Sequence, residues 1–484
     1  MSAKGCVNSE SNVSAENCVE VRSDLLQNEV KDWLSSHWSG KSDLGPSEKW
    51  GISLLSEPFK ICTLTNLISD HAYLEKLKVE LLSLEFQMKN NDLYQYRQSE
   101  DLFGFDLPAI NSFRCLLNNT IRQWLEDVTN IQLREKVSAN CSCYDDTDYL
   151  LCHDDQCEDR CIAYIFYLNR NWTAHDGGAL QLFNTMETEP GNIVKSILPQ
   201  FNSFVFFEVS EISFHQVQEV FTMDRTRITV NGWFYGSRKI KRREHKLGNN
   251  DSVTVPLLQV EDSFSSNVIN SVYYNGDELL KTLNLHFEKT SSIMLEDFLC
   301  KEFYDSCCKA LSRSTVSWLR KRPVNYWLYD TADESTLSSE VQGLLTLMKS
   351  EKLFQLLSVL TCLDLTCIGK MKKSCDKTIK VSACSYEIRR WKSGYYSLVN
   401  DTSFSKESLL DVTLYLNCEN CSECGGSTVY ISPEEEEELL CASPRPNSLS
   451  VTYRESNTAC FVKYINHNFR GDFYTINFSC VEQA

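Results

Sequence analysis

The stretch "LLCHDDQCEDRC", starting at Leu150, sets His153, Asp154 and Asp155 among Cys152, Cys157 and Cys161. Two metal chemistries compete for it. Structural zinc sites draw on cysteine and histidine, usually through paired C-x2-C spacings. Cys152 and His153 are neighbours that cannot easily share one ion from a strand, and Cys157 and Cys161 lack the paired spacing, so zinc is disfavoured. The other reading needs only His153 and Asp155. On an extended strand residues i and i+2 face the same way, so these two reach one ion while Asp154 faces away. His215, in "SFHQVQEV" on a later predicted strand, supplies a second imidazole. Two histidines and a carboxylate on one face of a metal leave positions open for substrate and oxygen, as in non-haem Fe(II) oxygenases. Farther on, "RTRITVNGWF" alternates Arg225, Arg227 and Thr229 onto one strand face. A guanidinium at Arg227 can pair bidentately with the distal carboxylate of 2-oxoglutarate, whose keto-acid end chelates iron. A lone histidine is usually a surface or satisfied core residue, but the ordered set His-x-Asp, His and Arg-x-Thr outweighs that reading.

Such a set needs strands to hold it, and the sequence beyond Cys141 supplies them. "CIAYIFYLN", "GGALQLF", "SFVFFEV", "FHQVQEV" and "RITVNGWFYG" are short β-rich runs divided by turn residues, a pattern that predicts a sandwich or jelly roll. Upstream, from Pro58 to about Leu133, the periodicity predicts mostly helix. Tyr73, Leu74, Leu77, Leu81 and Leu84 recur at helical spacing behind a Ser69-Asp70 cap, and Phe113, Leu116, Leu117, Ile121 and Trp124 repeat the pattern. Residues 1–30, rich in Ser, Asn and Glu, are expected to be a flexible tail. Residues 31–237 then form the catalytic region, 238–268 a polar, basic linker and 269–484 a second domain.

That second domain echoes the first. Helical patterns in "SIMLEDFLCKEFYDSCCKALS" and "LMKSEKLFQLLSVLTCL" lead into a β-rich block from about Ile388. There Tyr415-Leu416-Asn417 and Gly425-Gly426 repeat the spacing of Tyr167-Leu168-Asn169 and Gly177-Gly178, and "PNSLSVTY" echoes "FNSFVFF". At the constant offset Asp401 replaces His153 and Ser403 replaces Asp155; matching "FHQV" to "FVKY" puts Val462 at the place of His215. Cys418, Cys421 and Cys424 in "NCENCSECGG" have no obvious fourth ligand and read as a loop of free thiols. "PEEEEELL" (433–440) reads as a solvated helix start.

The net charge of -18 and pI near 5.0 argue against general binding to nucleic acid or anionic membranes and are compatible with a basic protein partner. The N-terminus lacks an apolar secretory core and no run is apolar enough to span a bilayer, so the 22 cysteines are expected to be reduced thiols in the cytoplasm or nucleus.

From about Pro58 to its C-terminus the chain resembles the eukaryotic prolyl 3-hydroxylases of the small ribosomal subunit. The likeness rests on "NDLYQYRQSEDL", "LLCHDD", "IAYIFYLN", "IVKSILPQFNSFVFFEVS", "SFHQV", "GWFYG", "RRWKSGYYSL" and "FVKYINH". The resemblance implies an α+β chain with two double-stranded β-helix domains, each flanked by helices, the second non-catalytic. It implies Fe(II) on His153, Asp155 and His215, with 2-oxoglutarate and O2 as co-substrates and ascorbate as a reductant. It assigns Arg227 to the co-substrate carboxylate, Tyr144 and Tyr167 to the same pocket, Trp233 to its wall, and Tyr94 and Gln98 to the substrate entrance. The substrate it implies is the basic decoding-centre protein of the small subunit. An oxygenase acting on another protein, such as a lysyl hydroxylase, and a non-catalytic translation scaffold are the alternatives.

Overall fold

The computed structural model describes residues 19–40, 49–157, 159–237, 254–256, 258, 267–365, 383–400, 403–405, 407–419, 421, 423–432 and 438–481. It mixes sheets and helices in two compact units, Met1–Arg243 and Glu244–Ala484.

In the first unit thirteen strands form one sheet. They are β1 (Ile52–Leu55), β2 (Ile61–Leu64), β3 (Phe86–Asn90), β4 (Tyr94–Ser99), β5 (Leu133–Val137), β6 (Asn140–Tyr144) and β7 (Tyr149–His153). The rest are β8 (Arg160–Tyr167), β9 (Leu180–Met186), β10 (Glu189–Ile197), β11 (Ser203–Glu208), β12 (His215–Val217) and β13 (Arg227–Gly236). They pair in the order β1-β2-β11-β8-β13-β6-β4-β7-β12-β9-β10, with β3 on β4 and β5 on β13. Side chains alternate between two faces along each strand. Tyr164 and Phe166 of β8, Phe204 and Phe206 of β11, and Val230 and Phe234 of β13 face the helical core. Ala163 and Tyr167, Val205 and Phe207, and the partly buried Trp233 face a separate inner cluster.

The helices are α1 (Asn28–Ser39), α2 (His71–Leu82), α3 (Pro108–Cys115) and α4 (Arg122–Thr129), the last two joined by a π-helical turn at Leu116–Ile121. Proline suits the first position of α3, where its missing N–H would be unpaired anyway. Asp70 caps α2 by accepting from the Tyr73 N–H at 3.0 Å, and Leu74, Leu77 and Leu81 are buried. Trp38 of α1 stacks on Phe206 at 5.4 Å and Phe113 of α3 packs on Phe166 at 5.1 Å.

Two expectations fail here. The described part of the N-terminal region is no tail: Val21, Leu25 and Val30 are buried in the core, and Trp124 donates its indole N–H to Leu25 O at 2.9 Å. The segment 58–133 is not mostly helix at its start, since "ICTL" is β2 and "NDLYQYRQS" supplies β4 of a hairpin.

The second unit contains β14 (Thr254–Pro256), β15 (Ser292–Leu295), β16 (Trp318–Arg320), β17 (Trp327–Leu328), β18 (Asp330–Ala332), β19 (Ala383–Lys392) and β20 (Tyr396–Ser397). It continues with β21 (Leu409–Leu416), β22 (Thr428–Ile431), β23 (Glu438–Ala442), β24 (Ser448–Arg454), β25 (Ala459–Val462) and β26 (Asp472–Val481). The pairing β15-β24-β21-β26-β19-β18 repeats β2-β11-β8-β13-β6-β4, and β23-β22-β25 repeats β10-β9-β12. The stretch from Ser292 that reads as helix begins with β15, and the helix proper spans Lys301–Leu311. Glu438–Ala442 is a strand where the sequence suggests a helix start, the preceding acidic residues 433–437 lying outside the described residues. Most of the 238–268 linker also lies outside them.

Candidate active site

His153 ends β7 and His215 opens β12, and the two are direct partners across that antiparallel pair. Cross-strand partners share a face, so their rings stand 4.2 Å apart, centroid to centroid. The Nδ1–H of His153 donates to Leu151 O at 2.8 Å and that of His215 to Ser213 O at 2.7 Å. Each bond fixes the ring and leaves the Nε2 lone pair for a metal.

Asp155 does not lie on β7. The chain turns after His153, where Asp154 Oδ1 accepts from the Gln156 N–H at 3.0 Å and Asp154 O accepts from Ser213 Oγ at 2.8 Å. Asp155 follows in the left-handed region at φ 63°, which aspartate tolerates better than most residues. Its carboxylate reaches both imidazoles, at 3.7 Å from His153 Nε2 and 3.5 Å from His215 Nε2. The structure groups Asp155 with the two histidines, as the sequence reading does, but a turn delivers it and not strand alternation.

The three ligand atoms lie within 4.8 Å of one another, the one group of three or more such side chains among the described residues that could hold a metal. Cys152 and Cys161 are buried away from it and Cys157 is exposed. Cys418, Cys421 and Cys424 sit in an apolar cluster. The cysteines whose side chains are described are free except Cys115, which is disulfide-bonded, so the all-thiol expectation fails there. Burial, helped by the neighbouring His153, pushes His215 down to about 4, so it is neutral and able to ligate near pH 7.

Arg227 opens β13 beside Tyr144 of β6. It is 1% exposed, with its guanidinium 4.9 Å from the Tyr144 ring and 5.2 Å from that of Tyr167. Nε donates to Gly178 O at 2.8 Å, while the buried Nη2 has no hydrogen-bond partner among the described residues. Gly178, at φ 65°, is what admits it, since a Cβ there would stand 2.8 Å from Arg227 Cδ. Burial raises both phenols, keeping Tyr144 and Tyr167 protonated as donors. Arg225 does not share this face: it precedes β13, pairs with Asp176 and donates to Asn171 O.

His153, Asp155, His215, Arg227 and Tyr144 line one cavity of about 80 Å3 together with Tyr96, Gln98, Phe207 and Trp233, while Tyr167 meets the Arg227 guanidinium without lining the cavity. Gln98 lines the cavity but Tyr94 does not; Tyr96, stacked on Tyr144 at 4.6 Å, is on the wall instead. Sequence reasoning also missed Arg160, whose guanidinium lies 3.5 Å over the Trp233 ring and 3.8 Å from Asp155 Oδ1. Its position two residues before Ile162 on the strand that carries Tyr167 was the only signal available.

The donor set fits Fe(II): two imidazoles and a carboxylate on one side, with the Arg227 guanidinium in the same cavity. In the second unit Thr428 faces Val462 and Tyr430 faces Cys460, just as Leu180 faces Val217 and Leu182 faces His215. Cys460, not Val462, therefore occupies the place of His215. Phe473 replaces Arg227, for Thr475 faces Tyr415 and Arg389 as Thr229 faces Tyr167 and Ser142.

A family model for the 2OG-Fe(II) oxygenase superfamily matches residues 139–235. A second, described as oxoglutarate and iron-dependent oxygenase degradation C-term, matches residues 261–483. Prolyl 3-hydroxylase OGFOD1 of Mus musculus is 35% identical over 94% of this chain and 92% of its own length. The Xenopus laevis protein of that name is 36% identical over 92% and 89%, and prolyl 3-hydroxylase sudestada1 of Drosophila melanogaster is 32% identical over 91% and 86%. A solved prolyl hydroxylase from Trichoplax adhaerens, in complex with a hypoxia inducible factor peptide, aligns over 44% of this chain and 93% of its own at 16% identity and a TM-score of 0.34. With the extent of the first three matches, the chain belongs to the prolyl 3-hydroxylase family of 2-oxoglutarate- and Fe(II)-dependent oxygenases.

Proposed function

We propose that this chain hydroxylates C3 of a prolyl residue in the decoding-centre protein of the small ribosomal subunit, in the cytoplasm or nucleus. The observation that carries the co-substrate half of this reading is the buried guanidinium of Arg227, whose Nη2 has no hydrogen-bond partner and which meets no carboxylate among the described residues. An isolated buried charge is costly, and a ligand carboxylate removes that cost.

His153, Asp155 and His215 would hold the iron, and Arg227 with Tyr144 and Tyr167 would hold the distal carboxylate of 2-oxoglutarate. Iron and 2-oxoglutarate, when bound with O2, supply the oxidising power that converts a C–H bond to C–OH; ascorbate would serve as reductant. The chain's own work is positional. The Nδ1 bonds to Leu151 O and Ser213 O keep the imidazole nitrogens aimed at the metal position. Phe207, Leu180, Val217 and Trp233 line the cavity and would keep water from it, while Gln98 and Tyr96 would face the prolyl ring.

The acidic net charge favours encounter with a basic ribosomal protein. The ribosomal target and the ring position rest on the family resemblance, and the names of the relatives support prolyl 3-hydroxylation. We propose further that both units are double-stranded β-helices, supported by their shared pairing order, with the second a non-catalytic companion. Mass spectrometry of small ribosomal subunits from cells with and without this protein tests the substrate. One prolyl residue of the decoding-centre protein should lose its added oxygen when the protein is removed. An unchanged modification pattern would exclude this target.

A further inference from the structure

A β-barrel released from catalysis gains stability by filling its interior with apolar side chains, because cavities and buried charges both cost stability. The second unit has done the reverse. The shared registers place Asp411 where the first unit has Ala163, Thr413 at Ile165, Thr428 at Leu180, Arg454 at Val209 and Ser479 at Trp233. Five apolar inner positions have become polar or charged. The cavity they line measures about 390 Å3, against about 80 Å3 in the first unit, within the range of small-molecule sites.

The charges there are built in. Arg454 and Asp411 have side chains only 10% exposed, with Nε 3.0 Å from Oδ2, and Arg454 Nη1 lies 3.4 Å from Cys460 Sγ. Burial raises the Cys460 thiol, so the position equivalent to His215 carries no anion. Arg389 lines the same cavity and bonds Glu387 through Nε at 2.6 Å, and Lys321 stands 3.7 Å from that carboxylate. Among the residues lining the cavity, two guanidiniums thus meet one carboxylate, with Glu387 and Lys321 beside Arg389 outside the lining. Guanidinium forks match carboxylates in shape and charge, whereas a phosphate dianion would meet repulsion from Asp411 and Glu387. The hydroxyls of Thr413, Thr428 and Ser479 offer partners to further hydroxyl groups. With Phe473 in the place of Arg227, and Ser403 and Cys460 in the places of two metal ligands, 2-oxoglutarate on iron is not the occupant.

We propose that the second barrel is a binding site for a small hydroxylated monocarboxylate, held by Arg389 and Arg454. The test is isothermal titration of the full-length protein with D-gluconate and D-glycerate, using D-glucitol and glycerol as uncharged controls. The Arg227→Met background silences the carboxylate site of the first unit, so failure here leaves the proposed prolyl hydroxylation untouched. At least one acid should bind in both backgrounds while its uncharged control does not. Arg454→Met and Arg389→Met should each weaken binding by about tenfold or more. Thr413→Ile restores the isoleucine of the first unit and keeps both guanidiniums, so it decides the matter should an arginine variant fail to fold; it should weaken binding by about fivefold or more by removing a hydroxyl partner and narrowing the cavity. No binding of either acid to folded protein, or binding left unchanged by Thr413→Ile, overturns the proposal.

Discussion

Replacing Arg227 with methionine separates its two effects. In the ligand-free protein the guanidinium is buried, donates one hydrogen bond to Gly178 O and has no carboxylate partner among the described residues. Losing that bond costs about 1–3 kcal/mol. Relief of an uncompensated buried charge returns several kcal/mol. The two nearly cancel or favour the variant, so ligand-free Arg227→Met should be at least as stable as the parent within about 1 kcal/mol. With 2-oxoglutarate bound the sign reverses. Two charge-assisted hydrogen bonds of about 1.5–3 kcal/mol each vanish, weakening the co-substrate by roughly 10²- to 10⁴-fold at 1.4 kcal/mol per decade. Titration of 2-oxoglutarate with Mn(II) as a redox-inert metal measures the second quantity, and urea unfolding of the ligand-free protein measures the first. A variant that binds 2-oxoglutarate within about fivefold of the parent, or that loses more than about 3 kcal/mol without ligand, would show the charge to be structural.

The remaining predictions concern the neighbours of that arginine. Gly178→Ala forces a Cβ to within 2.8 Å of Arg227 Cδ at a positive φ, so 2-oxoglutarate should weaken while metal affinity stays the same; equal loss of both in titrations would refute the wedge. Asp155→Ala and Asp155→Gly should both lose iron binding and succinate release, but at φ 63° the glycine variant should be more stable by about 1 kcal/mol. Equal urea midpoints would contradict the assigned turn. His215 is pushed down to about 4 from 6.5, chiefly by burial. The unfolded chain therefore takes up a proton that the folded one refuses. This stability is complete above about pH 6.5 and disappears as pH falls towards 4, at most about 3 kcal/mol. Metal-free parent protein should lose that much more than His215→Gln between pH 7 and about 4; parallel curves would rule it out.

The strands that carry the site were legible because their alternation is complete on both faces. In β8, Tyr164 and Phe166 face the helices while Ala163 and Tyr167 face inward, a period the sequence displays directly. His153 and His215 were legible for the same reason, as strand residues facing one way. Asp155 was found with the wrong mechanism, since no periodicity announces a single left-handed residue. The short strands "ISLL" and "ICTL" escaped because four-residue runs with three apolar side chains fit helix and strand alike. Val21, Leu25 and Val30 escaped because polar neighbours dilute them, and only the sheet and helices they pack on make them core. The place of His215 in the second unit was misread as Val462 because motif matching ignores register; the pairing of β22 with β25 puts Cys460 there. Arg160 could not be singled out, for its meaning lies in its contacts with Trp233 and Asp155.

The central claim is that His153, Asp155, His215 and Arg227 direct oxygen onto a proline of a protein substrate. Incubating the purified chain with Fe(II), 2-oxoglutarate, oxygen-18 gas and a peptide from the decoding-centre protein tests it most directly. Hydroxyproline bearing one heavy oxygen atom should form in step with succinate, and His153→Ala or His215→Ala should give neither product. Unlabelled hydroxyproline, or undiminished product from both histidine variants, would contradict it.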